Sequence, residues 1–432
     1  MQSVWKETIN LPHFDSLEGD TNTEVLIIGG GITGILCAWF LQENNIDYLL
    51  VEGNTIASGI TMNTTAKITA QHSLLYQKLL QFPGEKKAQL YLEANQKAVE
   101  KYAHLCRDIP CDFEEKTAYV YSLKDCQKLE AEAKALERLG YKASITHTSP
   151  LPFPIAGAIG FEKQAQFHPL KFLAALAQGL NIREHTFVTG FKEKTAITPK
   201  GNITFKKVIF ATHFPIDNKH GLYFLKMYQH RSYVIALENT PEINGMYIDE
   251  DSNGLSFRSY KNLLLLGGGS HRTGKTGGNW QELKSAASIY YPSSPIRYTW
   301  ATQDCITLDG IPYIGRYSKQ MPDCFVATGY NKWGMTSSMV AALLLKDLIL
   351  ENENPYTMVF DPSRSMYAPN VWKNGWEALT NLLTLSPKRC PHLGCALKWN
   401  SAEHSWDCPC HGSRFDENGH LLNNPANGDM KM

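Results

Sequence analysis

Residues 24–34 leave this 432-residue chain little conformational choice. A short β-rich apolar run (EVLII, 24–28) leads directly into Gly29-Gly30-Gly31-Ile32-Thr33-Gly34, and residues 35–43 read as a helix. A second short strand pattern at 47–51 ends in Glu52. Strand, glycine turn, helix, strand and acid, in that order, form a dinucleotide-binding fingerprint. Gly29 permits the tight turn, Gly31 lets the backbone approach a pyrophosphate, and Gly34 lets the helix pack on the strands. The helix N-terminus, with Ile32 and Thr33 in its first turn, stabilises phosphate charge. Glu52 accepts from ribose hydroxyls, with Gly53 beside it in the expected contact zone. A purely structural glycine turn is the alternative, but it accounts for neither the flanking strands nor the acid.

A second constraint lies in the tail. Cys390 and His392, then fifteen residues, then Cys408 and His411 supply two thiolates and two imidazoles. This is the ligand set of a Rieske 2Fe–2S centre, in which histidines replace cysteines on one iron. Two cysteines and two histidines also suit a structural zinc, and a disulfide-stapled tail without metal is a third possibility. Zinc does not explain Cys395 and Cys410, and nothing in the sequence suggests the export that a disulfide-stapled tail would call for. The tail resembles respiratory-type Rieske domains, and that resemblance implies the roles. Cys390 and Cys408 hold one iron, His392 and His411 the other, and a Cys395–Cys410 disulfide joins the two loops. It also implies a hydrogen bond from Ser413 to a bridging sulfur. Phe415 stands where many high-potential members have tyrosine, so the expected potential lies below the top of the Rieske range of about −150 to +300 mV.

The segment after Glu52 decides between dinucleotides. Ser58-Gly59-Ile60-Thr61 and Thr64-Thr65-Ala66-Lys67 resemble the second nucleotide segment of the glycine oxidase and D-amino-acid oxidase group of FAD enzymes. The resemblance extends over about residues 23–350 and implies FAD contacts from Ser58, Gly59, Thr61, Thr65 and Lys67. It further implies that the Val188 backbone holds the adenine. Gly310, within LDGIPYIG (308–315), and Gly334-Met335 are implied at the flavin end. In the KKVIFAT strand (206–212) the family's following glycine is replaced by His213.

Strand-like runs between 231 and 269 point to an antiparallel substrate domain, with Lys261-Asn262 turning a hairpin. Arg258, Tyr260 and His271 are its pocket candidates, with His230, Tyr233 and Arg272 as lesser ones. His168, followed by Pro169, reads as a helix cap. Cys106, Cys111 and Cys126 read as core thiols, and residues 186–190 as a short strand. Two departures from the family matter. Asp304 occupies the position from which an arginine commonly clamps a substrate carboxylate. The tail is also short, with residues 382–385 (LLTL) the only clear strand ahead of its first ligand loop. Trp372, Trp376 and Trp399 are candidates for packing it on the flavin domain.

Lysine plus arginine and aspartate plus glutamate number 42 each, giving no footprint for nucleic acid or an anionic membrane. No apolar run is long enough to span a bilayer, and residues 1–20 do not read as a signal peptide; the expected location is cytoplasmic. The expected architecture is an α/β FAD-binding fold (Rossmann-like, glutathione-reductase type) with an inserted antiparallel-sheet substrate domain and a small C-terminal all-β Rieske domain. Its divisions are an N-terminal arm (1–22), an oxidoreductase unit (23–350), a linker (351–384) and a shortened Rieske unit (385–432). Within the oxidoreductase unit, the nucleotide-binding parts fall at about 23–80, 155–215 and 300–350, and the insert at about 216–299. The expected function is electron transfer between a small amine-like substrate, FAD, a 2Fe–2S cluster and an external electron donor or acceptor. An oxygen-using amine oxidase with a non-essential tail and a non-catalytic redox sensor or carrier are the alternatives.

Overall fold

A computed structural model describes residues 2–217, 220–365 and 368–431. Its nucleotide-side sheet is built on three parallel strands. Thr21–Ile28 pairs with Tyr48–Val51 on one side and Gly201–Phe210 on the other, and Met321–Thr328 extends the parallel run. Their C-terminal halves are apolar and buried, as in 25–28 and 208–210, where the parallel run enters the core. The helix Ile32–Glu43 leaves the first strand through the glycine turn and packs against the long helix Gly334–Ile349. Ile27, Ile35, Leu36, Met339 and Leu345 are buried between them.

The second sheet is nine-stranded and mostly antiparallel. Its order runs Ile296–Thr307, Met227–Glu238, Leu263–Arg272, Ser256–Tyr260, Met246–Asp249, Glu114–Ser122, Gly157–Gln166, Lys67–Ile68, with Ser144–Thr146 beside Gly157–Gln166. The substrate-side layer is therefore not one insert at 216–299. It also draws strands from residues 114–166, because Met246–Asp249 pairs in parallel with Glu114–Ser122 and needs a crossover connection to reach it. Lys261, with φ 53°, lies in the turn of the antiparallel hairpin between Ser256–Tyr260 and Leu263–Arg272. His168 caps the helix Pro169–Leu176, its Nδ1 accepting from the Lys171 amide at 3.2 Å. Residues 186–189 belong to no strand, and pairing begins only at Gly190–Lys192.

The C-terminal unit is a four-stranded antiparallel meander: Lys398–Asn400, Ser405–Asp407, Arg414–Asp416, Leu421–Asn423. Upstream of it the expected strand at 382–385 does not form. Leu382 and Leu383 end the helix Ala368–Leu383 instead, because the preceding leucine-, alanine- and glutamate-bearing run propagates a helix. Arg389 then caps that end, donating to the carbonyls of Leu382 (3.0 Å) and Thr384 (2.9 Å). Trp372 and Trp376 do not pack on the flavin domain; they are 79% and 68% exposed, and Trp399 is 43% exposed. The helix is turned the other way round. Its Asn374 and Asn381 face inward, Asn374 donating to the Leu225 carbonyl at 3.1 Å and accepting from Arg272 at 2.9 Å.

Candidate functional site

The glycine turn is as tight as its residues require. A Cβ on Gly34 would lie 1.9 Å from the Gly29 carbonyl oxygen, and one on Gly29 would lie 2.6 Å from that of Ala211. Gly29 also holds φ at 111°, open to glycine and costly for other residues. Glu52 fixes the turn from the neighbouring strand, accepting from the Gly30 amide at 2.7 Å and the Asn54 amide at 2.8 Å. Burial raises its pKa against those two bonds. Thr61 Oγ1 accepts from the Ile32 amide at 3.1 Å, and Thr33 Oγ1 lies 3.0 Å from the Tyr330 hydroxyl and 2.9 Å from Ser338 Oγ.

Beneath this turn opens a cavity of about 1380 Å³. Gly29, Gly31, Ile32, Thr33, Glu52, Gly53, Ser58, Gly59, Thr61, Thr65, Lys67, Val188, Gly310, Gly334 and Met335 all line it. Gly34 does not; it lies behind the turn, against Gly29 and Ile27. The cavity runs from the N-terminus of one helix to that of another, Ile32–Glu43 to Gly334–Ile349, and its width exceeds a nucleotide pocket alone. A glycine cradle that any Cβ would fill, a helix N-terminus and an acid on the adjoining strand fit FAD. Lys67, buried at the cavity wall, has its pKa lowered to about 7 by burial and by nearby Arg258.

None of the three pocket candidates reaches this cavity. Arg258 is buried behind it, donating to Gln166 Oε1 (3.0 Å), to the carbonyls of Ala66 (2.9 Å) and Phe167 (3.0 Å), and to that of Thr65. It ties the N-terminal segments to the sheet. The Tyr260 hydroxyl donates to Asp112 at 2.8 Å, and His271 stacks on Tyr233 with ring centroids 5.6 Å apart. Arg272 is likewise directed away, to the Cys410 carbonyl at 3.0 Å. The residues the fold does bring to the cavity are His230, Ser232, Thr302, Asp304 and Lys332, with His213, Arg231 and Tyr233 at its margin. Of these, His230 and Tyr233 were among the lesser pocket candidates of the sequence, and Asp304 and His213 were visible as departures from a family pattern. Lys332 and Ser232 carried no sequence signal.

In the tail, the two ligand loops fold onto one another. Cys390, Cys408 and His411 are buried, and the rings of His392 and His411 face each other at 5.0 Å and 89°. Cys395 and Cys410 form a disulfide between the loops. Each loop is closed by its own backbone: Cys390 N–H donates to the Cys395 carbonyl and Cys408 N–H to that of Ser413, both at 2.9 Å. The Cys408 thiol lowers the pKa of Cys390 against the opposing effect of burial, with the Ser413 hydroxyl assisting. Ser413 Oγ also accepts from the Ala426 amide at 3.0 Å. Both ring nitrogens of His411 are buried without a hydrogen-bond partner among the described residues. Unpartnered buried imidazole nitrogens call for a ligand. Two adjacent thiols on one side and two imidazoles on the other fit a 2Fe–2S cluster. The sulfurs of Cys395, Cys408 and Cys410 lie within 4.8 Å of one another, but the disulfide removes two of them as thiolate donors.

The C-terminal unit is seated on the substrate-side sheet through a polar seam. Gln229 Nε2 donates to the carbonyls of His411 and Asn424, both at 2.9 Å, and Gln303 Nε2 donates to that of Gly412 at 2.9 Å and to Gln229 Oε1 at 2.5 Å. Asn424 reaches back to the carbonyls of Thr212 (2.6 Å) and Phe214 (2.7 Å). Glu403 takes a paired contact from Arg231, a bond from Arg414 at 2.9 Å and one from the Tyr233 hydroxyl at 3.0 Å. Side chains alternate faces along a strand. Gln229 and Gln303 therefore meet the cluster loops while their neighbours His230 and Asp304, paired across the two strands, line the cavity. His213 sits nearby in a left-handed conformation (φ 66°), its Nε2 buried without a hydrogen-bond partner among the described residues.

The sequence matches the family of FAD dependent oxidoreductases (DAO) over residues 24–348 and the Rieske [2Fe-2S] domain over 378–432. It is 36% identical to a Rieske 2Fe-2S iron-sulfur protein, YhfW, of Bacillus subtilis (strain 168), covering 100% of this chain and 97% of that one. The tail alone is 54% identical over 37 residues to a cytochrome b6-f complex iron-sulfur subunit of Nostoc punctiforme, 9% of this chain and 21% of that one. Among solved structures, glycine oxidase from Geobacillus kaustophilus superposes with a TM-score of 0.68 at 19% identity, over 80% of this chain and all of that one. L-proline dehydrogenase from P. horikoshii superposes with a TM-score of 0.67 at 18% identity, over 81% and 98%. At these identities the structural likeness is one of fold.

Proposed function

Because the chain belongs to the FAD-dependent oxidoreductases of the DAO family and carries a Rieske [2Fe-2S] domain, we propose that it moves electrons between a small amine-like substrate in the cavity and the cluster, and between the cluster and an external electron partner. When bound, FAD supplies a two-electron acceptor that can also exchange single electrons, and the cluster supplies a one-electron carrier.

The observation that supports this reading is the placement of both sites on one sheet. His230 and Asp304 line the cavity, while the residues next to them, Gln229 and Gln303, hold the carbonyls of His411 and Gly412. The cavity lining also reaches the C-terminal unit directly, at Glu403, Arg414 and Asn424. The chain's own residues perform three tasks here. Gly29, Gly31 and the helix beginning at Ile32 orient the pyrophosphate. The N-terminus of Gly334–Ile349 favours negative charge at the far end of the cavity. Glu403, Arg231 and Arg414 close the cavity rim against water, since all three side chains are at most 9% exposed.

The test is anaerobic. Protein holding both groups is mixed with candidate amines while flavin absorbance and the cluster's electron paramagnetic resonance signal are followed. The reading expects flavin bleaching followed by a rhombic cluster signal in the same chain. Bleaching with a silent cluster, or a cluster reduced by external donors without exchange with flavin, would refute it.

A further inference from the structure

The cavity contains an acid that the protein itself does not use. Asp304 lies on the strand Ile296–Thr307, directly opposite His230, and lines the cavity. No hydrogen bond reaches its carboxylate from any described residue. Burial raises its pKa to about 6, offset in part by Lys332 and more weakly by Arg231. A desolvated carboxylate at a cavity wall is costly unless it is paired with a cation or protonated.

The cations around it are otherwise engaged. Arg231 and Arg414 both close on Glu403, and Arg414 also donates to Asp407 at 2.9 Å. Arg258 is held by backbone carbonyls and Gln166, and Arg272 by the carbonyls of Pro409 and Cys410. His230 is neutral at ordinary pH, its pKa pushed to about 3 by burial, then by Lys332, His271 and Arg272. Its Nδ1 is buried without a hydrogen-bond partner. Lys332 comes from the loop before Gly334–Ile349; its ammonium lies 3.3 Å from Ser270 Oγ and closes no ion pair with Asp304. The guanidinium groups nearby are thus already taken up, Arg231 and Arg414 by acids of the C-terminal unit and Arg258 and Arg272 by backbone carbonyls.

We propose that Asp304, with His230 beside it, is the anchor for the protonated nitrogen of a cationic amine that carries no carboxylate. This deepens the proposed function and rests on it for the redox step. The ammonium donates to Asp304 and passes one proton to it, leaving a neutral amine. The C–H bond next to nitrogen then breaks as a hydride to the flavin, and the carbon–nitrogen bond becomes an iminium. One proton and one electron pair leave the substrate, and both have named acceptors.

Binding is tested apart from turnover with tert-butylammonium, which has no C–H bond next to nitrogen, and with pivalate, its anionic counterpart. Thermal unfolding of the FAD- and cluster-loaded protein is followed against each. Tert-butylammonium is expected to stabilise the wild type. Asp304→Asn is expected to bind it about 10- to 100-fold more weakly, the worth of a charge-assisted hydrogen bond, while Asp304→Glu retains binding. Pivalate is expected to do nothing.

Substrate panels follow, with butylamine and benzylamine set against glycine, sarcosine and L-proline. The amines are expected to bleach the flavin and the amino acids to be poorer by a similar factor. Stabilisation by pivalate, amino acids oxidised as well as amines, or an Asp304→Asn variant that binds tert-butylammonium unchanged would each overturn the proposal. Photoreduced flavin that fails to reduce the cluster would defeat the electron-transfer reading while leaving the tert-butylammonium result intact.

Discussion

Gln229→Leu is the substitution that most directly tests how a shortened Rieske unit is held. The wild-type amide donates to the carbonyls of His411 and Asn424 at 2.9 Å each and accepts from Gln303 at 2.5 Å. Leucine is of similar volume, so the change removes hydrogen bonds without opening a large cavity. It leaves two carbonyl oxygens, and one N–H of Gln303, in a buried seam without their partner. Each such group costs about 1–3 kcal/mol. Gln303 keeps its bond to Gly412, so the two carbonyls set the scale, roughly 2–6 kcal/mol for docking.

The effect should be local. Visible circular dichroism of the cluster and absorbance of the flavin are followed separately through urea unfolding. The cluster transition is expected to move to lower urea, with the flavin midpoint unmoved. Gln303→Leu, which removes the bonds to Gly412 and Gln229, should act on the same transition. If both transitions in Gln229→Leu stay within about 0.5 kcal/mol of wild type, the polar seam does not hold the unit and the argument fails.

Three further outcomes are expected. Gly34→Ala places a methyl 1.9 Å from the Gly29 carbonyl, so the purified protein should carry little FAD; near one FAD per chain after gel filtration would contradict the cradle. Cys395→Ser opens a loop of 15 residues, worth about 3 kcal/mol in the loop-entropy account, and should lower retained iron while FAD content stays near wild type. Acid should loosen the cluster unit. Burial raises the Glu403 pKa, but Arg231 and Arg414 outweigh it and leave it depressed. A depressed carboxylate stabilises the folded form fully above its unfolded pKa of about 4.3, and that contribution fades as pH falls through the folded value. Cluster dichroism should therefore survive at pH 6 and decline below about pH 4, and Glu403→Gln should already show the weakened unit at pH 7.

What was legible in the sequence was local chemistry. The glycine turn announces itself because Gly34 meets Gly29 within the turn, and Glu52 meets Gly30 from the adjoining strand of the same fingerprint. The Rieske loops were legible for the same reason, since two Cys–His clusters at fixed spacing have few chemical uses. Residues 382–385 misled because a run of leucines fits either period, and the helix already under way upstream settled the matter. Trp372 and Trp376 misled because size and apolarity do not say which side of a helix faces the protein. There the deciding contacts are polar, from Asn374 and Arg272.

The pocket residues were hard to foresee because position along a strand matters as well as face. Arg258 and Asp304 both stand on strands of the substrate-side sheet, yet only Asp304 reaches the cavity. Arg258 shares a face with Ser256, which lines the cavity, but two residues farther along it turns toward the carbonyls of Thr65 and Ala66. Charge alone made Arg258 the stronger candidate, whereas the carbonyls it meets make it a brace. Along a strand one register step exchanges the two faces of the sheet, and this parity gives the strands Met227–Glu238 and Ile296–Thr307 their double use. Gln229 and Gln303 serve the cluster loops on one side; His230 and Asp304 serve the cavity on the other. A one-residue insertion ahead of Gln303 would direct Asp304 at the cluster loops and Gln303 at the cavity, and one ahead of Gln229 would do the same to His230 and Gln229. The placement of the two sites therefore depends on register as much as on residue type.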